Sequence, residues 1–506
     1  MSLRFAPRLA CPRLGTGPAL AAGLVTWLSA CTVGPDYVKP TVDTPDAYSE
    51  AAPDGSRWKP STPQERTPRG NWWAAFTDTH LDALEPQVNV SNQTIAAAEA
   101  AYRQARALVQ ATRAGYYPTV TAGASVARYR ASENVPGRTT ATIGPNNNFL
   151  LPIEVSWEVD LWGRVRRSVE SSQASAQSSA ADLENARLSA QAELALDYFE
   201  LRGVEAQRQL LEQTIVAYRT ALELTRSRFE GGIASETDVA LAETQLRTTE
   251  AQAIDLGVQR AQLEHAMAVL LGKPPGAVVL PIAPLDVSPP EVPAGLPSQL
   301  LERRPDIASA ERQMAAANAR IGVAISSYYP TLTLTALGGF DSASISQWLV
   351  WPSRFWAVGP QIAQTVFDGG LRRALTEHER AAYDGTVANY RQTVLSAFED
   401  VEDNLAALRI LADEAQVQAG AVKAAQRSVT LTTNRYEAGA ANYLEVVVAQ
   451  AVALNNERTA VDISRRRMAA SVRLVKALGG GWSLADLPST EEVTARTAST
   501  PAQGAR

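Results

Sequence analysis

The chain has 506 residues, 45% of them hydrophobic and 20% charged, enough apolar mass for a large core spread over two to four ordinary domains. A net charge of −6 with a pI near 5.5 argues against a nucleic-acid partner. Two cysteines cannot build a disulfide framework, and three histidines make a His-rich metal site improbable. The unusual count is alanine, 87 of 506 residues. Ala is the best helix former and lets helices approach closely, so the composition favours a mostly helical protein with tight seams over a mixed α/β enzyme.

Arg4, Arg8 and Arg13 precede an apolar stretch from Ala19 to Leu28, too short to cross a bilayer and of the right length for a secretory signal. It ends in Leu28-Ser29-Ala30-Cys31, which resembles a bacterial lipobox. The resemblance implies removal of residues 1–30 and a covalent lipid on Cys31, as S-diacylglycerol cysteine and N-palmitoyl cysteine. The bland alternative is a lone buried or reactive cysteine. Thr32 follows where such lipoproteins carry Asp for retention, which implies export to the outer membrane. Cys11 lies in the discarded segment. The leader holds three Arg and no acid, so the mature chain has 44 basic and 53 acidic residues, a net of −9. Residues 31–75, rich in Pro and turn formers, read as an extended strap.

The rest of the chain is written twice. Tyr116-Tyr117-Pro118-Thr119 recurs as Tyr328-Tyr329-Pro330-Thr331. Arg228-Phe229-Glu230-Gly231-Gly232 recurs as Arg435-Tyr436-Glu437-Ala438-Gly439, and Leu271-Gly272 as Leu478-Gly479. Residues 76–272 form the first repeat, 273–299 a Pro-rich linker, 300–482 the second repeat and 483–506 a flexible tail. Each repeat reads as helix, strand, loop, strand, very long helix, tight turn and return helix.

The first long helix is expected from about Arg164 to Phe229, roughly 99 Å at 1.5 Å per residue. Val165, Val169, Ser172, Ala176, Ser179, Leu183, Ala186, Ala190 and Leu194 recur at alternating fours and threes, a coiled-coil seam of small residues. The second is expected from about Leu371 to Arg435. Helices of this length imply a rod or a tube.

Around residues 149–160 the strand alternation is clean. Phe149, Leu151, Ile153, Val155, Trp157 and Val159 take one face; Leu150, Pro152, Glu154, Ser156, Glu158 and Asp160 take the other. Leu332, Leu334 and Ala336 likewise oppose Thr331, Thr333 and Thr335, while strands at about Thr119–Arg130 and Phe355–Val366 alternate less sharply. Aromatic residues gather near the strand ends, as in the girdles of outer-membrane barrels. No run of 18 apolar residues follows the first thirty, which excludes a spanning helix but not a barrel. A soluble sandwich would also alternate, but fits poorly between rods of this length. Four strands cannot close a barrel, and eight leave a filled interior, so three chains are the simplest conduit.

The order of lipobox, Val33-Gly34-Pro35-Asp36-Tyr37, Glu302-Arg303-Arg304-Pro305-Asp306-Ile307 and Ala477-Leu478-Gly479-Gly480-Gly481-Trp482 resembles the outer-membrane efflux proteins, the TolC/OprM-like lipoproteins of the NodT type. The resemblance covers nearly all of residues 28–482. It implies a mainly helical fold with some β structure: a homotrimer whose four strands per chain build a 12-stranded outer-membrane barrel over a periplasmic helical tunnel. It further implies a periplasmic adaptor, an inner-membrane RND-type transporter, outer-membrane lipids around the barrel, no cofactor and no enzymatic chemistry. A channel for type I protein secretion would share the architecture, and a pore-less coiled-coil scaffold is the rival of another class.

The two helix-to-helix turns carry the candidate site. Gly232 and Gly439 suit positive-φ helix ends. Ser235 and Asn442 read as N-caps, with Asp238 and Glu445 three residues on, as in a capping box. The resemblance makes Gly232, Ser235, Asp238, Gly439 and Asn442 adaptor-docking tips, and Tyr436, Leu444, Glu445 and Val448 gate candidates. Val448 stands where relatives often carry an aspartate, so the expected constriction is dry. His80, His265 and His378 lie far apart, and Glu399, Glu402 and Asp403 share a helix face expected to be wet.

Overall fold

The computed structural model describes residues 32–45, 48–50, 71–130, 132, 145–283, 285, 288–290 and 297–495. The leader and Cys31 lie outside the described residues. In chain order the elements are α1 (Thr79–Ser91), α2 (Gln93–Arg113), β1 (Thr119–Ala122), β2 (Ser125–Tyr129), β3 (Asn146–Val159), α3 (Arg164–Glu230), α4 (Glu236–Leu270), α5 (Pro297–Arg303), α6 (Pro305–Ser326), β4 (Thr331–Ser342), β5 (Arg354–Ala363), α7 (Leu371–Glu437), α8 (Tyr443–Ala477) and α9 (Thr490–Thr494).

The two long helices each run 67 residues, about 100 Å, within two residues of the expected ends. Both start after a glycine in the left-handed region, Gly163 (φ +80°) and Gly370 (φ +92°), and both borrow an aspartate for their first N–H groups. Asp160 accepts from Val165 and Arg166 N, at 3.0 and 2.8 Å; Asp368 accepts from Gly370 and Arg372 N, at 3.0 and 3.3 Å.

The strands form one antiparallel strip in the order β1/β2, β3, β4, β5. The expected single strand over residues 119–130 is broken at Gly123-Ala124, yet β1 and β2 pair with β3 in one unbroken register. The cause is Pro152, opposite Gly123: its carbonyl accepts from Gly123 N at 3.0 Å, but it has no N–H to return the bond. The last strand ends at Ala363 rather than Val366.

Register carries the alternation across the strip. Val120 faces Val155, Val155 faces Ala336 and Ala336 faces Val358; Trp157, Leu334 and Pro360 align in another row. That face is therefore apolar over most of its length, with Arg354 beside Phe340 and Arg128 beside Asn147 toward the loop end. The other carries rows such as Thr121–Glu154–Leu337 and Thr119–Ser156–Thr335–Gly359. A strip with one greasy and one mostly polar face and a free edge at each side is a fragment of a larger closed sheet.

Below the strip, α2, α3, α6 and α7 pack side by side in that order, and α4 and α8 return along α3 and α7. The main core lies at mid-height, where Trp72, Trp73 and Phe76 pack with Leu194, Tyr198, Phe199, Met267, Met468 and Val472. The strap reading of residues 31–75 thus ends at Trp72, because these aromatic rings are drawn into the core as a 3-10 turn. The Arg304-Pro305-Asp306 segment holds three helices together. Arg304 reaches Asp306 at 2.7 Å, Asp400 at 3.0 Å and the Ala477 carbonyl at 3.3 Å, tying α6 to α7 and α8.

Residues 483–495 are folded, against the expectation of a flexible tail. Val493 is buried with Val109 and Ala176. The last carbonyls are taken by side chains of α2: Arg106 donates to Ala495 O at 2.9 Å and Gln110 to Thr494 O at 2.6 Å. Residues 496–506 lie outside the described residues.

Candidate functional site

The distal end of the rods is built from two turns of the same design. Gly232 and Gly439 both have φ +72°, the conformation that lets a helix end on a backbone bond back to its last turn. Ile233 N donates to Arg228 O at 2.7 Å, and Ala440 N to Arg435 O at 2.8 Å.

The caps differ. Ser235 forms a full capping box: Asp238 N donates to Ser235 Oγ at 3.2 Å, and Ser235 N donates to Asp238 Oδ2 at 3.0 Å. Asn442 accepts from Glu445 N at 3.1 Å, but Glu445 does not return the bond. Its carboxylate faces Arg435 at 3.4 Å instead. The expected second box is therefore half a box. An arginine one turn before the glycine competes for the acid, and sequence spacing alone does not reveal it.

The two turns are fastened together. Tyr218, Leu222, Ala242, Leu246, Tyr436, Tyr443 and Val446 form one buried cluster across both hairpins. Tyr436 and Tyr443 meet edge to face at 5.3 Å. Burial and the neighbouring Tyr436 push the Tyr443 hydroxyl up to about 12. The Arg228 guanidinium lies 4.6 Å over the Tyr436 ring and donates to the Glu437 carbonyl at 3.2 Å. Arg228 is a site residue that the repeat comparison passed over, because its counterpart Arg435 is turned to Glu445.

Of the gate candidates, Tyr436 is thus buried between the hairpins, and Glu445 sits in an ion pair at the turn. Leu444 and Val448 are 52% and 55% exposed, and Val452, one turn further, is 49% exposed. Spaced by four, the three form an apolar stripe along one side of α8, opposite the Tyr443 and Val446 side that packs inward.

Other candidate chemistry dissolves on inspection. His80, His265 and His378 are exposed and apart. The acid cluster on α7 divides, since Asp400 pairs with Arg304 and Glu402 accepts from Ser49 N at 2.6 Å. Glu399 and Asp403 are exposed, as expected of a wet face, and the half-buried Glu402 on the same face also clamps the strap. Among the described residues no group of His, Cys, Asp or Glu could hold a metal ion, and no helix is long and apolar enough to cross a membrane.

This arrangement has close parallels among known proteins. A toluene efflux pump outer membrane protein of Pseudomonas putida, TtgC, is 31% identical over 459 residues, covering 90% of this chain and 93% of that one. The solved outer-membrane channel OprN superposes with a TM-score of 0.82 at 30% identity, over 89% of this chain and all of that one. The open state of the Neisseria gonorrhoeae MtrE outer membrane channel gives 0.77 at 26% identity, over 90% and 99%. The family model described as "Outer membrane efflux protein" matches residues 85–273 and 296–480. The chain belongs to the outer membrane efflux protein family, and is an outer-membrane channel protein whose helical rods extend into the periplasm.

Proposed function

We propose that three copies of this chain close into one passive conduit, a 12-stranded barrel continuous with a helical tunnel, which carries small toxic compounds outward. It receives them from an inner-membrane RND-type transporter through a periplasmic adaptor that meets the two turns. The observation that carries this reading is the match between two sets of open edges. The strip is free at β1/β2 and at β5, and the helical wall is free at α2 and at α7. Head-to-tail contacts of this kind close rings. Purified full-length protein should run as a trimer and give discrete conductance steps in a planar bilayer. A monomer, or a trimer that never conducts, overturns the reading.

Cys31 carries a lipid in this reading, but the barrel holds the protein. Cys31→Ser should lose the acyl chains and stay in the outer membrane; release into the periplasm would sink the barrel. The closed state places Leu444, Val448 and Val452 against their copies as a dry constriction. Val448→Asp should then create a cation block of conductance from the periplasmic side. A divalent or trivalent cation that already blocks the unmutated channel at that depth refutes a dry gate.

A further inference from the structure

The repeat places two equivalent clefts at the foot of the strip, and only one of them is filled. In the first, Tyr116, Arg166, Val169, Glu170 and Gln173 line a hollow that is closed by Thr490, Glu491 and Thr494. In the second, Tyr328, Arg373, Thr376, Glu377 and Arg380 occupy the corresponding positions around a cleft of about 400 Å³. Tyr116 and Tyr328 are related by the offset that relates the Tyr-Tyr-Pro-Thr segments. The four α3 positions map onto α7 by the offset that relates Gly232 to Gly439.

The two clefts differ in charge and in cover. The first has the acidic α9 segment laid across it, held by Arg106, Gln110 and Arg113. In the second, Arg380 stands in place of Gln173 and Ile325 in place of Arg113, so both arginines of the hollow come from α7 and no acidic segment of the described chain covers them. Arg373 and Arg380 are exposed and make no ion pair or hydrogen bond among the described residues. Nothing of the described chain lies over them.

Position supplies the occupant. Tyr328 stands three residues before β4, and Arg373 is the third residue of α7, which follows β5. The cleft therefore lies directly under strands that cross the outer membrane, at the level of the periplasmic headgroups. Arg373, Glu377 and Arg380, at i, i+4 and i+7, fall on one helix face about 10 Å long. Arginine pairs with phosphodiesters through a fork of donors. Glu377 between the two arginines suits the ammonium of a zwitterionic headgroup. Tyr328 and Tyr329 have the amphipathic rings found at that depth. α9 covers the same side of the wall one repeat earlier, so that side has room for an added segment.

We infer that the cleft formed by Tyr328, Arg373, Glu377 and Arg380 binds a phospholipid headgroup of the periplasmic leaflet. Three copies would hold three such lipids as a collar beneath the barrel.

The test is native mass spectrometry of the purified full-length protein, titrated with short-chain phosphatidylethanolamine and with inorganic phosphate as competitor. Each arginine contact contributes roughly fivefold. Arg373→Gln with Arg380→Gln should therefore weaken lipid retention about twenty-five-fold, with the oligomer intact. The Arg373→Lys, Arg380→Lys pair should retain most of the binding. Arg427→Gln, far along α7, should change nothing. Equal lipid binding by the double Gln variant overturns the proposal. So does displacement of the lipid by an equal concentration of inorganic phosphate, which marks a plain anion site. Arg380→Cys that resists a bulky maleimide in the assembled protein also overturns it, because a neighbouring copy then covers the cleft.

Discussion

The two halves share a plan but not a surroundings. Leu188 on α3 and Leu395 on α7 are equivalent positions, yet Leu188 is 8% exposed and Leu395 57%. Positions turned to the mid-height cores do not differ: Leu194 and Val401 are both fully buried, as are Tyr198 and Leu405. The difference arises because in the wall α3 has α2 on one side and α6 on the other, whereas α7 has α6 on one side and, beyond its own return helix α8, no wall helix on the other among the described residues. An alanine-rich, 100 Å helix with an uncovered apolar flank is stable in water when another copy covers it. The second half thus records an assembly that a single chain does not complete.

Both halves also hold an extended segment with an equivalent arginine. Arg202 donates to Pro281 O at 2.7 Å and to Glu205 at 2.7 Å, and Arg260 adds Glu205 and Leu280 O. In the second half, Arg409 holds Glu50 of the strap at 2.6 Å. The first clamp is a buried network that fastens the linker; the second is a half-exposed pair.

The halves are most alike at one pair of equivalent glycines. A Cβ on Gly479 (φ +91°) would lie 1.9 Å from the Arg303 carbonyl oxygen, and one on Gly272 (φ +64°) 2.1 Å from that of Ser91. Gly479→Ala and Gly272→Ala should each abolish assembly or cost more than about 3 kcal/mol, read as yield of folded oligomer. Tolerance of one and not the other would show that one repeat carries the fold.

The clamps should separate next. Glu205→Ala leaves the buried Arg202 guanidinium without its carboxylate, while the partly exposed Arg260 keeps Glu264, and should cost about 3–5 kcal/mol. Glu50→Ala removes a partly exposed pair and should cost under about 1 kcal/mol. Denaturation midpoints compare them, and equal losses would mean that both straps are held alike.

The first half carries a further asymmetry in Glu85. Its side chain is fully buried on α1, its oxygens find no hydrogen-bond partner, and burial pushes it up to about 9. The folded state therefore keeps the proton that the unfolded chain gives up near pH 4.5. Stability held below that pH is lost as pH rises toward 9. Glu85→Gln should raise stability at pH 7 by on the order of 3 kcal/mol and flatten its pH profile between those limits. An unchanged profile would mean that the carboxyl finds a partner or water in solution. Small effects are also expected at the turns: Ser235→Ala loses a reciprocal box and should cost about 1–2 kcal/mol, and Asn442→Ala about 0.5–1 kcal/mol.

Local chemistry was legible in the sequence. The long helices, their glycine ends, the Ser235 and Asn442 caps and the alternation of β3 follow from interactions within a few residues, and such interactions have a fixed period. The repeat and the motif order gave the family. What sequence did not contain was the half box at Asn442, the burial of Tyr436 under Arg228, the clamp at Glu402 and the docking of residues 483–495. The half box turns on Arg435, ten residues before Glu445 across the turn; the others depend on partners hundreds of residues away, about which spacing carries no information. The alternation of one strand showed that a greasy face exists. Only the register, set by pairing across β1 to β5, made that face continuous, because a slip of one residue would turn every side chain to the other side.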